Sequence, residues 1–408
     1  MAETKGKSPF YPGQPVPPEL FTGRNSQIRR IRTRGVDQVA AGKPVAIFVQ
    51  GEYGIGKSSV ANYIRAIAEK ENGLHGVYVT LGRATSLEEV AAAILEGVLK
   101  SGAQVAARAD TIRTWLGKYV KQVQLFGFSV NLEALKKDAS GIATPHGILG
   151  LLNEAVKSIA ATGVTGIMLI LDEVNGITGN PLFAHLIKDL IETNATSQPP
   201  LPLLLMMCGI EARRNELIRN HPPVGRIFDI VAIDPMDAND TRDFFKRAFG
   251  SVNVTVEPDA MDLLVHYSGG LPKIMHEIGD AAYYIDQDSR IDAKDATSAV
   301  VEAADEVGRK YVEPEVVDAL KRSRAYHSIL EKLSRLRKAA FTRDELAADL
   351  TDDEGRKLDH ILRRLKKLNV IRAGEILGEY VFNVRMYQVY LSLKAYNPAA
   401  LVDGPRPG

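Results

Sequence analysis

A glycine-rich segment between an apolar run and a helical pattern constrains the fold of this chain more than any other feature. The segment reads Gly51-Glu-Tyr-Gly-Ile-Gly-Lys-Ser58 and fits G-x-x-x-x-G-K-[S/T] at every position. The apolar run 45–49 precedes it, and apolar residues at spacing i, i+3, i+4 and i+7 follow it from Val60 onward. Strand, glycine loop and helix in this order are the context in which the pattern predicts a phosphate-binding loop on an α/β sheet.

The chemistry of this loop predicts ATP or ADP as the ligand, together with Mg²⁺. Glycines let backbone N–H groups wrap round phosphates, and the helix N-terminus adds the positive end of its dipole. Lys57 would reach the β- and γ-phosphates, and the hydroxyl of Ser58 would ligate the magnesium ion. The residues predicted to contact the nucleotide here are Gly51, Glu52, Tyr53, Gly54, Ile55, Gly56, Lys57, Ser58 and Ser59.

A second motif supplies carboxylates for the same site. The segment Ile167-Met-Leu-Ile-Leu-Asp-Glu173 is an apolar run that ends in two acids. Ligands of open α/β sheets bind at the carboxyl ends of the strands. Asp172 would therefore hold the magnesium ion through its water shell, and Glu173 would polarise the attacking water. The alternative is a strand that merely ends in surface acids. The phosphate loop upstream favours the functional interpretation over this alternative.

The alternation of short apolar runs with helical patterns predicts an α/β core over residues 20–234. This pattern is typical of a parallel sheet covered by helices, here of the P-loop NTPase type. The predicted strands are Val45–Gln50, Gly76–Leu81, Ile167–Leu171, Leu203–Cys208 and Ile227–Ile233. The stretch 104–140 interrupts the rhythm, and its segment 125–132 is either an extra strand or part of a hairpin, with no role assigned.

A chain of 408 residues predicts two or three domains, and further segments flank the core. Residues 1–19 form a proline-punctuated arm, either a flexible tail or an arm docked on the core. Residues 235–315 read as a small helical domain with a helix start at Asp237 and a break between helices at 268–272. Residues 316–396 show three helical patterns, the second opened by a capping box at Thr342-Arg-Asp-Glu345, and two β-like runs on either side of a turn at 374–378. Residues 397–408 form a tail.

Composition narrows the class of protein. The single cysteine, Cys208, leaves no internal disulfide framework and fits a reducing cytosol. The apolar runs fall far below the roughly 18 residues of a membrane-spanning helix, and the N-terminus lacks the apolar core of a secretion signal. We therefore expect a soluble cytoplasmic protein without a membrane partner. The eight histidines show no metal-type spacing, so no structural metal is expected.

Taken together, these motifs resemble the AAA+ ATPases, in particular the branch with origin-recognition-like and STAND signalling members. The resemblance covers residues 20–396 by the order of motifs, and Gly51–Ser58 and Ile167–Glu173 match the two Walker motifs of that family. Leu20-Phe-Thr-Gly-Arg24 looks like the F-x-G-R element that borders the adenine in the same group. The resemblance therefore implies nucleotide contacts for Phe21 and Arg24 as well.

An arginine is implied as the third catalytic residue, beside Lys57 and Glu173. Arg226 stands where the family often carries an arginine finger, and Arg213 and Arg214 compete for the role. A guanidinium stabilises the charge that develops on the γ-phosphoryl group in the transition state more than it stabilises the ground state. A plain surface arginine at the start of a strand is the alternative reading of Arg226.

Two further family elements concern the lid and the sensors. Gly269-Gly-Leu-Pro-Lys273 resembles the G-x-P element of the helical lid, which would bring Pro272 and Lys273 to the nucleotide. Gly269 and Gly270 end a helix in any case, and Pro272 restarts one with or without nucleotide. The strand 203–208 departs from the family pattern, because Met207-Cys-Gly-Ile-Glu211 lacks a clear Asn, Thr or Ser for sensor 1.

Positive charge is concentrated near the C-terminus. Residues 321–395 carry 17 Lys and Arg against 10 Asp and Glu, a net of +7, whereas the whole chain carries +1. The helical pattern Arg356–Leu368 has an apolar face and an opposite basic face formed by Arg356, Lys357, Arg363, Arg364, Lys366 and Lys367. Three helices and a β-hairpin resemble a winged helix-turn-helix, so 356–385 is predicted to contact double-stranded DNA. A solvated basic face, or a domain packed on the core or on a partner protein, are the alternatives.

The function predicted from these features is an ATP-binding and ATP-hydrolysing switch that assembles with copies of itself or with partner proteins. The first hypothesis is a DNA-associated regulator of the replication, transposition or defence type. The second is a STAND-type signalling ATPase whose winged helix clamps the nucleotide core and whose output is protein assembly. In a third hypothesis ADP is only a structural cofactor.

Overall fold

The computed structural model describes residues 5–14, 16–17, 21–103, 140–317, 323–336, 338, 340–368, 370–374 and 378–396. The chain divides into two compact units, one of Pro15–Asp234 and one that joins Met1–Gln14 to Pro235–Gly408. We call them the sheet unit and the helical unit. The strand or hairpin predicted within 125–132 and the tail 397–408 lie outside the described residues, as does most of the turn 374–378.

The sheet unit is built on five parallel strands in the order β2-β3-β4-β1-β5. Their bounds are β1 (Val45–Gln50), β2 (Leu74–Thr80), β3 (Gly166–Asp172), β4 (Leu203–Gly209) and β5 (Asp229–Ala232). The predicted α/β fold with a parallel sheet is thereby confirmed. The last strand begins at Asp229 and not at the predicted Ile227, because Ile227 still caps a short 3₁₀ helix, Pro222–Arg226.

Helices cover both faces of this sheet, which is why β3 and β4 are buried at every position. The helices are α1 (Asn25–Ile31), α2 (Asp37–Ala40), α3 (Lys57–Glu71), α4 (Leu87–Ala103), α5 (Pro145–Ile159), α6 (Pro181–Thr196) and α7 (Glu211–Asn220). Short π or 3₁₀ segments cover Arg32–Val36, Ser140–Ile142 and Ala160–Thr162. The register pairs β4 with both β1 and β3, so the phosphate loop after β1 and the acids at the end of β3 share one edge of the sheet.

The first part of the helical unit contains helices joined by capped turns. They are α8 (Ala238–Gly250), α9 (Pro258–Ser268), α10 (Pro272–Ile285) and α11 (Ala293–Val307), followed by a π-helical segment, Gly308–Val317. The side chain of Asp237 caps α8, and Gly269 ends α9 at φ 58°. Two short strands, β6 (Thr255–Val256) and β7 (Arg290–Ile291), pair in parallel and were not predicted, because two-residue strands leave no periodic pattern.

The described part of the proline-punctuated arm packs on the helical unit. Phe10 is buried in an aromatic cluster of α8, with its ring centroid 4.8 Å from that of Phe249. Tyr11 donates its backbone N–H to Nδ1 of His276 at 3.1 Å, and Lys5 Nζ lies 2.6 Å from a carboxylate oxygen of Asp286. The arm therefore contributes to the core of this unit, and residues 5–14 are not a free tail.

The C-terminal part of the helical unit consists of helices around a three-stranded antiparallel sheet in the order β8-β10-β9. The elements are α12 (Arg324–Arg335), β8 (Ala340–Thr342), α13 (Arg343–Ala347), α14 (Asp352–Lys367), β9 (Ile371–Ala373), β10 (Glu379–Phe382) and α15 (Arg385–Tyr396). The capping box predicted for α13 is present, with Thr342 and Glu345 as its two members. The basic helix begins at Asp352, four residues before the predicted start, because Thr351 and Glu354 form a second capping box.

Candidate functional site

The phosphate loop, Gly51–Ser58, has the backbone that its glycines permit. Gly54 and Gly56 have φ of 74° and 96°, in the left-handed region that other residues rarely adopt. A Cβ on Gly51 would lie 2.6 Å from the carbonyl oxygen of Ile233, so only glycine fits there. The loop leads directly into α3, a helix of 15 residues that begins at Lys57. Successive loop N–H groups and this helix end suit an anionic ligand.

The side chain of Lys57 forms hydrogen bonds with the backbone of its own loop. Its Nζ donates to the carbonyl oxygens of Gly51 at 2.9 Å and Glu52 at 2.8 Å. Burial lowers the pKa of Lys57, and the nearby charge of Asp172 opposes that shift. The ammonium group is therefore held at the mouth of the loop, where phosphate oxygens would replace the two carbonyl acceptors.

The two Walker segments meet through one hydrogen bond. The hydroxyl of Ser58 donates to Oδ2 of Asp172 at 2.6 Å, and the backbone N–H of Glu173 donates to Oδ1 at 2.8 Å. Asp172 is 3% exposed, so its carboxylate is oriented by protein groups rather than by bulk water. A hydroxyl and a carboxylate are the hard oxygen donors that Mg²⁺ takes beside nucleotide phosphates and water. The residues present thus fit a magnesium ion.

Glu173, the residue after β3, has an unusual backbone conformation. Its φ is 54°, although it is not a glycine, and its side chain is exposed. Its Oε2 lies where a Cβ on Gly82 would come within 2.7 Å, so the absence of a side chain on Gly82 makes room for this carboxylate. A left-handed backbone at a residue other than glycine costs about 1–3 kcal/mol, which the surrounding structure must offset. Such residues cluster at functional sites.

The F-x-G-R element lies against the phosphate loop. Arg24 is buried, and its guanidinium donates to the carbonyl oxygens of Ile55 at 3.0 Å and of Asp234. Phe21 stacks on Tyr63 of α3 with ring centroids 4.6 Å apart. Arg24 thus holds the loop backbone itself and ties it to the last residue of the sheet unit, a role that the sequence did not reveal.

Ser59 also receives a contact from the chain before this element. The backbone N–H of Val16 donates to its Oγ at 3.3 Å. Within the loop, Glu52, Tyr53 and Gly54 are exposed, whereas Ile55 is buried. The predicted loop residues are therefore brought together, with the middle of the loop open to solvent.

Of the three candidate arginine fingers, Arg226 is the most exposed to solvent. It ends the 3₁₀ helix Pro222–Arg226 and is exposed. Arg213 pairs with Glu216 at 3.1 Å, and Arg214 approaches Glu211 at 3.8 Å on the same helix. Within the described ranges no ion pair involves Arg226, so its guanidinium is open to another molecule.

Pro272 and Lys273 belong to the helical unit. Pro272 opens α10, and the Nζ of Lys273 lies 2.8 Å from the centroid of the Tyr311 ring. Gly270 is required here, because its backbone packs directly on that of Met236, whose N–H donates to the Gly270 carbonyl at 2.8 Å. The sequence predicted the helix break correctly, whereas the nucleotide contacts of Pro272 and Lys273 stay predictions.

Sequence reasoning missed the surroundings of Asp172. The hydroxyl of Tyr78 on β2 donates a hydrogen bond to Oδ2 of Asp172. Cys208, at the sensor 1 strand, is fully buried, and burial together with the charge of Asp172 raises the pKa of its thiol. A thiol that stays protonated there is a weak donor and a poor substitute for a sensor amide. The strand order, which places β2 and β4 on either side of β3, was the missing information.

The basic face of α14 is exposed as the pattern predicted. Leu358, Ile361, Leu362 and Leu365 are buried on its inner face. On the outer face, Arg363, Lys366 and Lys367 are exposed and Arg364 is half-buried. The first turn is acidic, and Asp353 pairs with Lys357 at 2.8 Å, so free positive charge is concentrated at the C-terminal half of the helix.

This chain is similar to one protein family and to several solved structures. Residues 20–206 match the model of the AAA ATPase domain. A Walker-type ATPase of Pyrococcus abyssi aligns over 91% of this chain and 96% of its own, at 19% identity and a TM-score of 0.58. The ORC2 protein of Aeropyrum pernix, solved with ADPNP and ADP, aligns over 93% of each chain at 13% identity and a TM-score of 0.53. At these identities the likeness is one of fold.

No curated protein matches the sequence. Across the described ranges, no helix is both long enough and apolar enough to cross a bilayer.

Proposed function

We propose that this protein, which carries an AAA ATPase domain over residues 20–206, hydrolyses ATP with Mg²⁺ and works as a molecular switch. The observation that supports this most is the 2.6 Å hydrogen bond between Ser58 and Asp172, which joins two segments 114 residues apart in one oxygen-donor site. Lys57 lies beside it on the same loop. ATP or ADP is the ligand that this combination of loop, cation and acids suits best.

Each residue has a role that its position supports. Lys57 binds the β- and γ-phosphates in place of its present carbonyl acceptors. Ser58 and Asp172 hold the magnesium ion, which supplies charge neutralisation on the phosphates. Glu173, exposed at the strand end, orients and polarises the attacking water. Phe21 and Arg24 border the nucleotide, Arg24 through the backbone of the loop.

We further propose that Arg226 acts in trans, which makes the protein an oligomer or a partner of another subunit. The guanidinium of Arg226 is exposed, and it has no ion-pair partner among the described residues. Both observations support this role. A delocalised cation supplied by a neighbour would stabilise the transferring phosphoryl group and couple turnover to assembly.

The finger is tested by Arg226→Ala. We expect ATP affinity to be unchanged, while the rise of specific activity with protein concentration disappears, since only the contribution from the neighbour is lost. Mixing this variant with Glu173→Gln should restore part of the activity, because each supplies what the other lacks. Arg219→Ala, which removes another exposed arginine in this region, is the matched control and should behave as the parent. Activity independent of concentration, with no complementation, would mean that the site is complete in a monomer.

For the output of the switch we propose contact with double-stranded DNA through residues 356–385, as in a winged helix. The order α12, β8, α13, α14, β9 and β10 and the net charge of +7 over residues 321–395 support this proposal. Phosphate contacts from exposed Lys and Arg would supply affinity on any sequence. A DNA-associated regulator is the function that these features favour.

One observation favours the second candidate, a STAND-type switch with protein assembly as its output. The first turn of α14 carries Asp352 and Asp353, both exposed. In a helix-turn-helix the N-terminal residues of the recognition helix approach the bases, and carboxylates there would be repelled by phosphates. The acidic end therefore argues against base readout by this helix, and leaves its basic C-terminal half for backbone contact or for an acidic protein partner.

Neutralising the basic half of α14 separates the two candidates. In the full chain, glutamine at the four outer positions should weaken binding to every DNA sequence and lower the slope of log K against log salt by about 0.9 for each lost phosphate contact. The positions are Arg363, Arg364, Lys366 and Lys367. The fold should survive, because the leucine face is untouched, and ATPase activity without DNA should change little.

A charge-matched control neutralises four cations elsewhere, and it should keep the salt slope of the parent. Its positions are Arg219, Lys246, Arg247 and Lys294, all exposed. If the α14 variant binds DNA as tightly as the parent at equal salt, α14 is not the DNA contact. If it loses partner assembly or control of ATPase activity without any effect on DNA, the signalling switch is the better account.

A further inference from the structure

Tyr78 is a polar residue on the apolar strand β2 whose hydroxyl reaches the Walker carboxylate. It donates a hydrogen bond to Oδ2 of Asp172, the same oxygen that accepts from Ser58 at 2.6 Å. The register of β2 and β3 pairs Tyr78 with Ile170, two residues before Asp172. The acid therefore receives two hydroxyl donors on one oxygen and the N–H of Glu173 on the other.

The hydroxyl of Tyr78 donates to a buried carboxylate, since Asp172 is 3% exposed. Burial, followed by the charge of Asp172, raises the pKa of Tyr78 well above its ordinary value. A charge-assisted hydrogen bond of this kind is stronger than one between neutral groups and fixes the direction of the carboxylate.

Contacts from α3 hold the ring of Tyr78 in place. The guanidinium of Arg65 lies 5.8 Å from the ring centroid. Arg65 crosses β2 directly over Gly76, where a Cβ would collide with its methylene groups. Glu69, one turn further along α3, accepts the N–H of Gly76 at 3.1 Å. The helix that begins at Lys57 therefore contacts β2 at Gly76 and at the ring of Tyr78.

We propose that Tyr78 is a positioning residue of the magnesium site: it orients Asp172 so that the carboxylate meets the water shell of the ion. This inference rests on the proposed Mg²⁺-nucleotide site and adds a residue to it. Outer partners that orient a metal-binding carboxylate typically change metal affinity about 10–100-fold when they are removed. Nucleotide binding without metal depends on the loop and Lys57, and does not need Tyr78.

The test is Tyr78→Phe in the full chain, which keeps the ring and its packing against Arg65 and removes only the hydroxyl. Binding of fluorescent N-methylanthraniloyl-ADP is titrated with Mg²⁺, and again in EDTA. We expect the Mg²⁺ concentration for half-maximal enhancement to rise about tenfold or more, with affinity in EDTA unchanged. Tyr284→Phe, an exposed tyrosine of the helical unit, is the control and should match the parent.

The outcomes separate this inference from the proposed function, because no turnover is needed. If the parent shows a Mg²⁺ effect and Tyr78→Phe shows the same half-saturation, Tyr78 has only a structural role and the inference is overturned. If the parent itself shows no Mg²⁺ effect, the magnesium site and the inference are both overturned. Should Tyr78→Phe fail to fold, Arg65→Leu frees the ring while keeping the hydroxyl. It should raise the half-saturation by a smaller amount, and no rise would contradict the proposal.

Discussion

Replacing Lys57 with alanine abolishes ATP turnover and weakens nucleotide binding. We expect turnover to fall by a factor on the order of a thousand, because this is the only cation in Gly51–Ser58 and it faces the mouth of the loop. The loss of a charge at the β- and γ-phosphates affects both the ground state and the transition state. Phosphate release and binding of fluorescent ATP, measured on the same preparation, give the two effects separately.

The variant Lys70→Ala is the matched control for this experiment. Lys70 lies in the last turn of α3, the helix that Lys57 opens, and is exposed. It should bind and hydrolyse ATP as the parent does. If Lys57→Ala keeps the turnover of this control, the loop does not bind the phosphates in the way we describe.

The variant Glu173→Gln should keep nucleotide binding and lose hydrolysis. We expect the rate to fall by a factor on the order of a hundred or more, which is typical of the loss of a general base. Glutamine keeps the size of the side chain and its place beside Gly82, so the backbone at φ 54° need not change. Single-turnover hydrolysis and equilibrium binding are the two measurements.

Glu211→Gln, an exposed acid at the start of α7, serves as the control and should be active. An equal loss of binding in Glu173→Gln and Lys57→Ala would show that Glu173 has been assigned the wrong role. A Glu173→Gln variant with the turnover of the parent would place the base elsewhere.

Local sequence predicted the parts of the site that depend on neighbouring residues. The loop Gly51–Ser58, the strand before it and the acids at the end of β3 were all visible, because the glycines, the apolar runs and the helical spacing act over fewer than ten residues. The capping box at Thr342 and the helix break at Gly269 were visible for the same reason.

The sequence could not predict contacts between segments far apart in the chain. Tyr78 reaches Asp172 across 94 residues, and Arg24 reaches Asp234 across 210. Both contacts depend on the order of strands in the sheet, which alternating runs do not encode. The acidic start of α14 is encoded locally, in Thr351-Asp-Asp-Glu354. The predicted helix nevertheless began four residues too late, because the prediction relied on the basic residues that follow.

Steady-state phosphate release by the purified full chain decides whether this protein is an ATPase. We expect repeated turnover of ATP that requires Mg²⁺, stops in EDTA and is lost in Glu173→Gln. This result would follow from one site formed by Ser58, Asp172 and Glu173. A parent protein that retains bound ADP and releases no more phosphate than Glu173→Gln would show instead that the site does not hydrolyse ATP and that the nucleotide is a structural cofactor.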